Sequence, residues 1–223
     1  MDSSLAVFFV VTVLWVFSVC LHEFAHAWVA YQGGDLSVAE KGYLTLNPFR
    51  YTHPILSLLL PVLFMMLGGI GLPGGAVYID RSRLRSRTWN TAVALAGPAM
   101  NLALILLLGA LFKTGVIPAD RANLATLSMA FFLRLQVYSV LLNLIPLPPL
   151  DGYQAIAPWL PAEWQRRISG AGNIIMVALF LVLFSVPAVN RLLGDAEQAV
   201  SGLFGVQRIW GYLGYRAFKF WEH

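Results

Sequence analysis

In the stretch "VCLHEFAHAWVAY", residues 19–31, His22, Glu23 and His26 set two imidazoles and a carboxylate at a spacing that suits one metal ion. Residues four apart share a helix face, so both histidines can aim a ring nitrogen at the same point. Zinc takes imidazole nitrogen readily, and a carboxylate beside the first histidine can accept a proton from water that the metal acidifies. H-E-x-x-H is the helical metalloprotease pattern. The motif sits near the end of an otherwise apolar run, where an unpaired carboxylate is costly, which argues for function.

A catalytic zinc usually has three protein ligands and one open position. Beyond the motif the histidines are His53 and the terminal His223. Asp2, Asp35, Glu40, Asp80, Asp120, Glu163, Asp195, Glu197 and Glu222 fall in segments that read as polar, or in tails. Asp151 alone falls in apolar surroundings, inside the proline-broken stretch "NLIPLPPLDGYQ", and burial cost makes it the expected third ligand. Cys20, two residues before His22, points to a different side of the helix and reads as packing.

The elements that must position these groups belong to a membrane. The 223 residues are 58% hydrophobic and 12% charged, against about 25% charged in soluble domains; the mean hydropathy is +0.70. The expected architecture is an all-α polytopic membrane protein, a helical bundle with spans at about 4–31, 88–112, 122–147 and 171–187. Together these form a core over 1–187, followed by an amphipathic, interfacial tail over 188–223. No basic region precedes the first span and no small-residue cleavage site follows it, so it reads as a retained helix and not a signal peptide. The net charge of +4 is modest and dispersed apart from Arg81, Arg83, Arg85 and Arg87, and in a membrane protein retention of that loop on the cytoplasmic side outweighs a nucleic-acid role. Between the first and third apolar segments, Thr45 and Leu46 and residues 76–79 read as short strands of a re-entrant or β-hairpin element. Backbone freed by the prolines after 143 is tolerated at membrane depth only within protein or around a water-filled cavity.

Three ordered motifs, His22-Glu23-x-x-His26, Gly97-Pro98-x-x-Asn101 and Asn143-x-x-Pro146-x-x-x-Leu150-Asp151-Gly152, together with "TLNP" at 45–48, resemble the site-2 protease family of intramembrane zinc metalloproteases. The resemblance spans well over half the chain. It implies one Zn2+ per chain on His22, His26 and Asp151, with Glu23 as general base and Asn143 stabilising the scissile carbonyl. A side-chain amide can donate to a developing oxyanion; capping of the helix before Pro146 is the structural alternative for Asn143. Gly97 would let the helices approach closely. A Gly-rich hairpin over 74–79, including Gly75 and Val77, stands where family members pair with unwound substrate. His53 matches a histidine of some relatives, and Asn101 belongs to the second motif; both are candidates for supporting roles.

His26, near the end of the first span, and Asp151, just past the fourth, must reach one depth. Residues 54–72 are therefore expected to be re-entrant or surface-lying. Lys41, Arg50, Arg81, Arg83, Arg85, Arg87, Arg166 and Arg167 then share the side of the site, which the positive-inside rule makes cytoplasmic; Arg191, Arg208, Arg216 and Lys219 count the other way if the last span crosses. The resemblance implies a multi-pass protein of the inner (plasma) membrane. Its partners would be the lipid bilayer, a membrane-protein substrate with an unwindable transmembrane helix, and a regulatory membrane protein, since no regulatory domain is visible. The alternatives are a zinc-binding membrane transporter and a catalytically silent scaffold.

Overall fold

The computed structural model describes residues 3–50 and 77–222. His53, Gly75 and the 54–72 segment lie outside the described residues. The helices are α1 (Ser3–Gly33), α2 (Ser37–Glu40), α3 (Arg87–Lys113), α4 (Leu124–Asn143), α5 (Asp151–Ile156), α6 (Ala162–Gly170), α7 (Gly172–Ser185), α8 (Pro187–Gly202) and α9 (Arg208–Phe218).

Three of these, α1, α3 and α4, are long and apolar enough to cross a membrane, which agrees with the expected polytopic helical bundle. Their ends are set by local chemistry. Gly34, at φ 117°, stops α1 in a conformation that L side chains rarely adopt, and the carbonyl of Arg83 lies against it. The Ser86 hydroxyl accepts the Trp89 N–H at 3.2 Å to start α3, and Asn123 Oδ1 accepts the Thr126 N–H at 2.8 Å to start α4. The proline-rich stretch ends α4 at Asn143.

Val7, Val11 and Trp15 of α1 pack with Ile105 and Leu108 of α3 and with Phe131 and Leu135 of α4. Lipid is as apolar as these side chains, so close van der Waals fit holds such a bundle together. The C-terminal segment takes part in it. Phe218 of α9 is fully buried in that core, Gly214 abuts the Leu127 carbonyl of α4, and Trp210 Nε1 donates to the Ala119 carbonyl at 2.7 Å. Gly109 of α3 likewise meets the ring of Phe204. α7 has 14 residues, about 21 Å of helix, and meets α6 at a bend of 61°.

Residues 34–50 and 77–86 leave and re-enter the bundle at one end. The Arg85 N–H donates to the Gly33 carbonyl at 3.0 Å, and the Asp80 N–H to Asp35 Oδ2 at 2.7 Å. Among the described residues there is no strand, so the expected β-hairpin is not seen at Thr45, Leu46 or 77–79. Side chains take the backbone groups that a strand partner would use. The Val77 N–H donates to Glu23 Oε2 at 3.1 Å, and Lys41 Nζ reaches the Tyr78 carbonyl at 3.5 Å.

Candidate metal centre

The H-E-x-x-H residues lie on α1 between the bundle and its apolar exterior. Phe17 and Trp28 of the same helix are about half exposed, whereas His22, Glu23 and His26 are each 6% exposed and face inward. Opposite them stands Gly97 of α3. A Cβ there would overlap the Nε2 atoms of both histidines, so only glycine leaves the rings their space.

Each imidazole is oriented through Nδ1. The His26 Nδ1–H donates to the Val93 carbonyl at 2.6 Å, and the His22 Nδ1–H to Asn101 Oδ1 at 3.3 Å. Asn101 is fixed in turn, because its Nδ2 donates to Ser139 Oγ at 2.6 Å. Both Nε2 atoms therefore carry free lone pairs turned toward the same point, the usual way a protein prepares histidine for a metal.

Asp151 opens α5. The adjacent Gly152 sits so close to the backbone of Leu144 and Ile145 that a Cβ would collide with it, which lets α5 fold back under the end of α4. α5 is anchored to α3, where Thr91 Oγ1 donates to the Ala155 carbonyl at 2.7 Å. Asp151 thereby places Oδ2 3.2 Å from His22 Nε2 and Oδ1 3.4 Å from His26 Nε2, while the two Nε2 atoms are 3.0 Å apart. Bonds of about 2.0–2.1 Å at tetrahedral angles put zinc ligands about 3.3 Å apart, so these separations fit such an ion. Asp151 Oδ2 is buried and accepts no hydrogen bond, as suits an oxygen awaiting a cation.

A cavity of about 410 Å³ opens in front of this triad, bounded by Glu23, Val77, Arg81, Asn143 and Gln154 among others. Asn143 donates through Nδ2 to Ser139 Oγ at 3.4 Å, so one hydroxyl receives the amides of both motif asparagines. Of the expected site residues, His22, Glu23, His26, Asn101, Asn143, Asp151 and Val77 are thus brought together. Cys20 is buried in the cluster of Ala27, Ala30, Val38 and Val93, apart from the converging donors. Arg134 donates through Nε to the Tyr138 hydroxyl of its own helix at 3.2 Å, and its stem lies against Gly211 of α9.

Two of the acids expected in polar segments are in fact buried. Asp35 is fully buried and Glu197 is 4% exposed, so Asp151 is not the sole acid in a dry environment. Asp35 accepts from the Ser37 N–H and hydroxyl and from the Asp80 N–H, and Glu197 accepts from Ser201 Oγ at 2.7 Å. Each is satisfied by its neighbours, and neither joins the histidines. Sequence reasoning passed over Ser139, the Val93 carbonyl and the structural role of Asp35. The first two act through pairings across helices that no spacing reveals, whereas Asp-x-Ser at 35–37 carried a legible turn signal.

A bundle of membrane-length helices with an H-E-x-x-H pair and a distant aspartate converging at one end defines a metallopeptidase-type membrane protein. The chain is 43% identical over 223 residues to a Mycolicibacterium smegmatis protein named "Putative zinc metalloprotease Rip2", covering 99% of this chain and 83% of that one. It is 44% identical over 216 residues to the Mycobacterium tuberculosis protein of the same name, covering 97% and 82%. To the Bacillus subtilis "Putative zinc metalloprotease YwhC" it is 31% identical over 196 residues, 85% of each chain. No protein-family model and no solved structure matches the chain. The chain belongs to the site-2 protease family of zinc metalloproteases.

Proposed function

We propose that the chain is an intramembrane zinc metalloprotease that hydrolyses peptide bonds within or beside transmembrane segments of other membrane proteins. The convergence of His22 Nε2, His26 Nε2 and the Asp151 carboxylate beside Glu23 carries this reading. His22, His26 and Asp151 would hold Zn2+, which when bound polarises a peptide carbonyl and acidifies water.

The chain's own groups account for the remaining chemistry. The Val77 N–H holds Glu23 Oε2 and so fixes the carboxylate at the cavity wall. Glu23 takes a proton from the attacking water and returns it to the nitrogen of the leaving amine. One N–H of Asn143 Nδ2 points to Ser139; the other is available to the carbonyl oxygen as negative charge develops on it. The Val93 carbonyl and Asn101 keep both imidazoles in the tautomer that leaves Nε2 free.

Membrane depth is supported by the apolar exterior of α1 at the level of the motif, where Phe17 and Trp28 face outward. A substrate helix must unwind before its carbonyls can enter the cavity, so segments weakened by glycine or proline are preferred. Lys41, Arg50, Arg81, Arg83, Arg85 and Arg87 gather at the site end of the bundle, which favours a cytoplasmic orientation in the plasma membrane. Names of relatives as zinc metalloproteases weigh against the transporter and scaffold alternatives.

Glu23→Gln tests the reading. Zinc measured by elemental analysis should stay at one per chain, while cleavage of a reconstituted transmembrane substrate falls by about 10²- to 10⁴-fold. Cleavage at the normal rate removes Glu23 as the base.

A further inference from the structure

The cavity wall contains a cation that the reaction above does not use. Arg81 begins the 3-10 turn Arg81–Arg83 and lines the cavity with Tyr78, Gln154 and Met176. Its Nη1 is buried and has no hydrogen-bond partner. Among the described residues no ion pair involves it.

The carboxylates nearby are turned to other groups. Asp80 accepts from the Ser82 N–H at 3.1 Å and from Arg83 Nε at 3.0 Å. Glu23 is held by Val77, and the Asp151 oxygens face the two histidines. Burial disfavours the Arg81 charge and the carboxylate of Asp151 favours it, but the two form no ion pair among the described residues. A guanidinium is a planar fork of donors that stays protonated and matches a carboxylate in bidentate fashion. Leaving such donors buried and unfilled is unfavourable, and an entering anion relieves it. Among the described residues, the remaining wall near it, Val77, Ile79, Pro149, Leu150 and Met176, offers an acidic group no other cation.

We infer that Arg81 is a specificity-determining residue that receives a substrate carboxylate next to the scissile bond, from an acidic side chain or from a free peptide C-terminus. The inference rests on the protease reading above and adds a substrate preference to it.

The test uses the purified full chain loaded with zinc in detergent and two matched pairs of apolar peptides. One pair differs only by Glu or Gln beside the bond whose cleavage is mapped by mass spectrometry. The other lacks acidic side chains and differs only in a free or amidated C-terminus. The wild-type chain should favour the acidic member of one pair by about 10- to 100-fold in kcat/KM, mainly through KM, and the pair that responds identifies the source of the carboxylate. Arg81→Gln should bring that ratio close to one, Arg81→Lys should restore part of it, and Arg81→Glu should shift preference to a Lys-containing peptide. A purely structural role, holding Asp151 in place, would instead lower the zinc content of Arg81→Gln and slow acidic and neutral peptides alike; that result overturns the inference. A wild-type ratio near one in both pairs, with cleavage intact, overturns it while leaving the protease reading in place. A zinc-loaded wild-type chain that cuts none of the peptides counts against the protease reading, and the inference goes with it.

Discussion

Gly97 of α3 lies against His22 of α1 so closely that a methyl group in place of its hydrogen would overlap the imidazole. The same methyl would meet His26, so this glycine sets how near two membrane helices come at the metal site. Gly97→Ala should leave helical content by circular dichroism intact while displacing both rings. A displacement on the order of 1 Å can cost about 100-fold in rate, and peptide cleavage should fall by at least that much together with zinc occupancy. Normal zinc content and normal cleavage would contradict the packing described here.

Asn101 and Ser139 form a relay from α4 through α3 to His22. Asn101→Leu removes the acceptor that fixes the His22 tautomer, and partners of this kind are worth about 10- to 100-fold in metal affinity. Competition with a zinc-binding dye should register that loss. Ser139→Ala should show a smaller one, because Asn101 itself remains.

Asp35 organises the segment that carries Val77 to Glu23. It accepts from Ser37 and from the Asp80 N–H while fully buried. Asp35→Asn keeps the shape but loses the charge of a buried multiple acceptor, a change worth about 1.5–3 kcal/mol. Thermal unfolding in detergent should show the destabilisation, and limited proteolysis should show faster cutting near 77–86 than in α3.

Gly152 gives a prediction of a different kind, because its close neighbours are the backbone of Leu144 and Ile145. Backbone cannot rotate aside as a side chain can, so Gly152→Ala should push α5 away and carry Asp151 from the histidines. Zinc per chain, measured after dialysis against a weak chelator, should drop well below that of the parent protein. Equal retention would mean that α5 accommodates the methyl group without moving.

The short β-element shows where local pattern misleads. Val77 and Ile79 have strand-favouring side chains, yet the segment is pinned by Glu23, Asp35 and Lys41. Strand propensity reports fit to a pleated surface, and here buried or charged side chains from α1 and the 34–41 region claim the backbone first. Asp151 illustrates a second limit. Burial cost points to it, but the same reasoning applies to Asp35 and Glu197, which satisfy themselves locally.

By itself the sequence determined the membrane class, the apolar runs that become α1, α3 and α4 among four suggested spans, the pairing of His22 with His26, Asp151 as the expected third ligand, and the family, because hydropathy, helical periodicity and motifs are carried by contiguous residues. Tertiary structure alone decided the 3.2 and 3.4 Å geometry at which Asp151 meets those histidines, that Asn101 and the Val93 carbonyl orient them, and that Arg81 lines the cavity with its Nη1 buried and without a partner. Those relationships join residues far apart in the chain. They depend on how closely Gly97 and Gly152 let backbones approach, a property of helix packing that no single segment encodes.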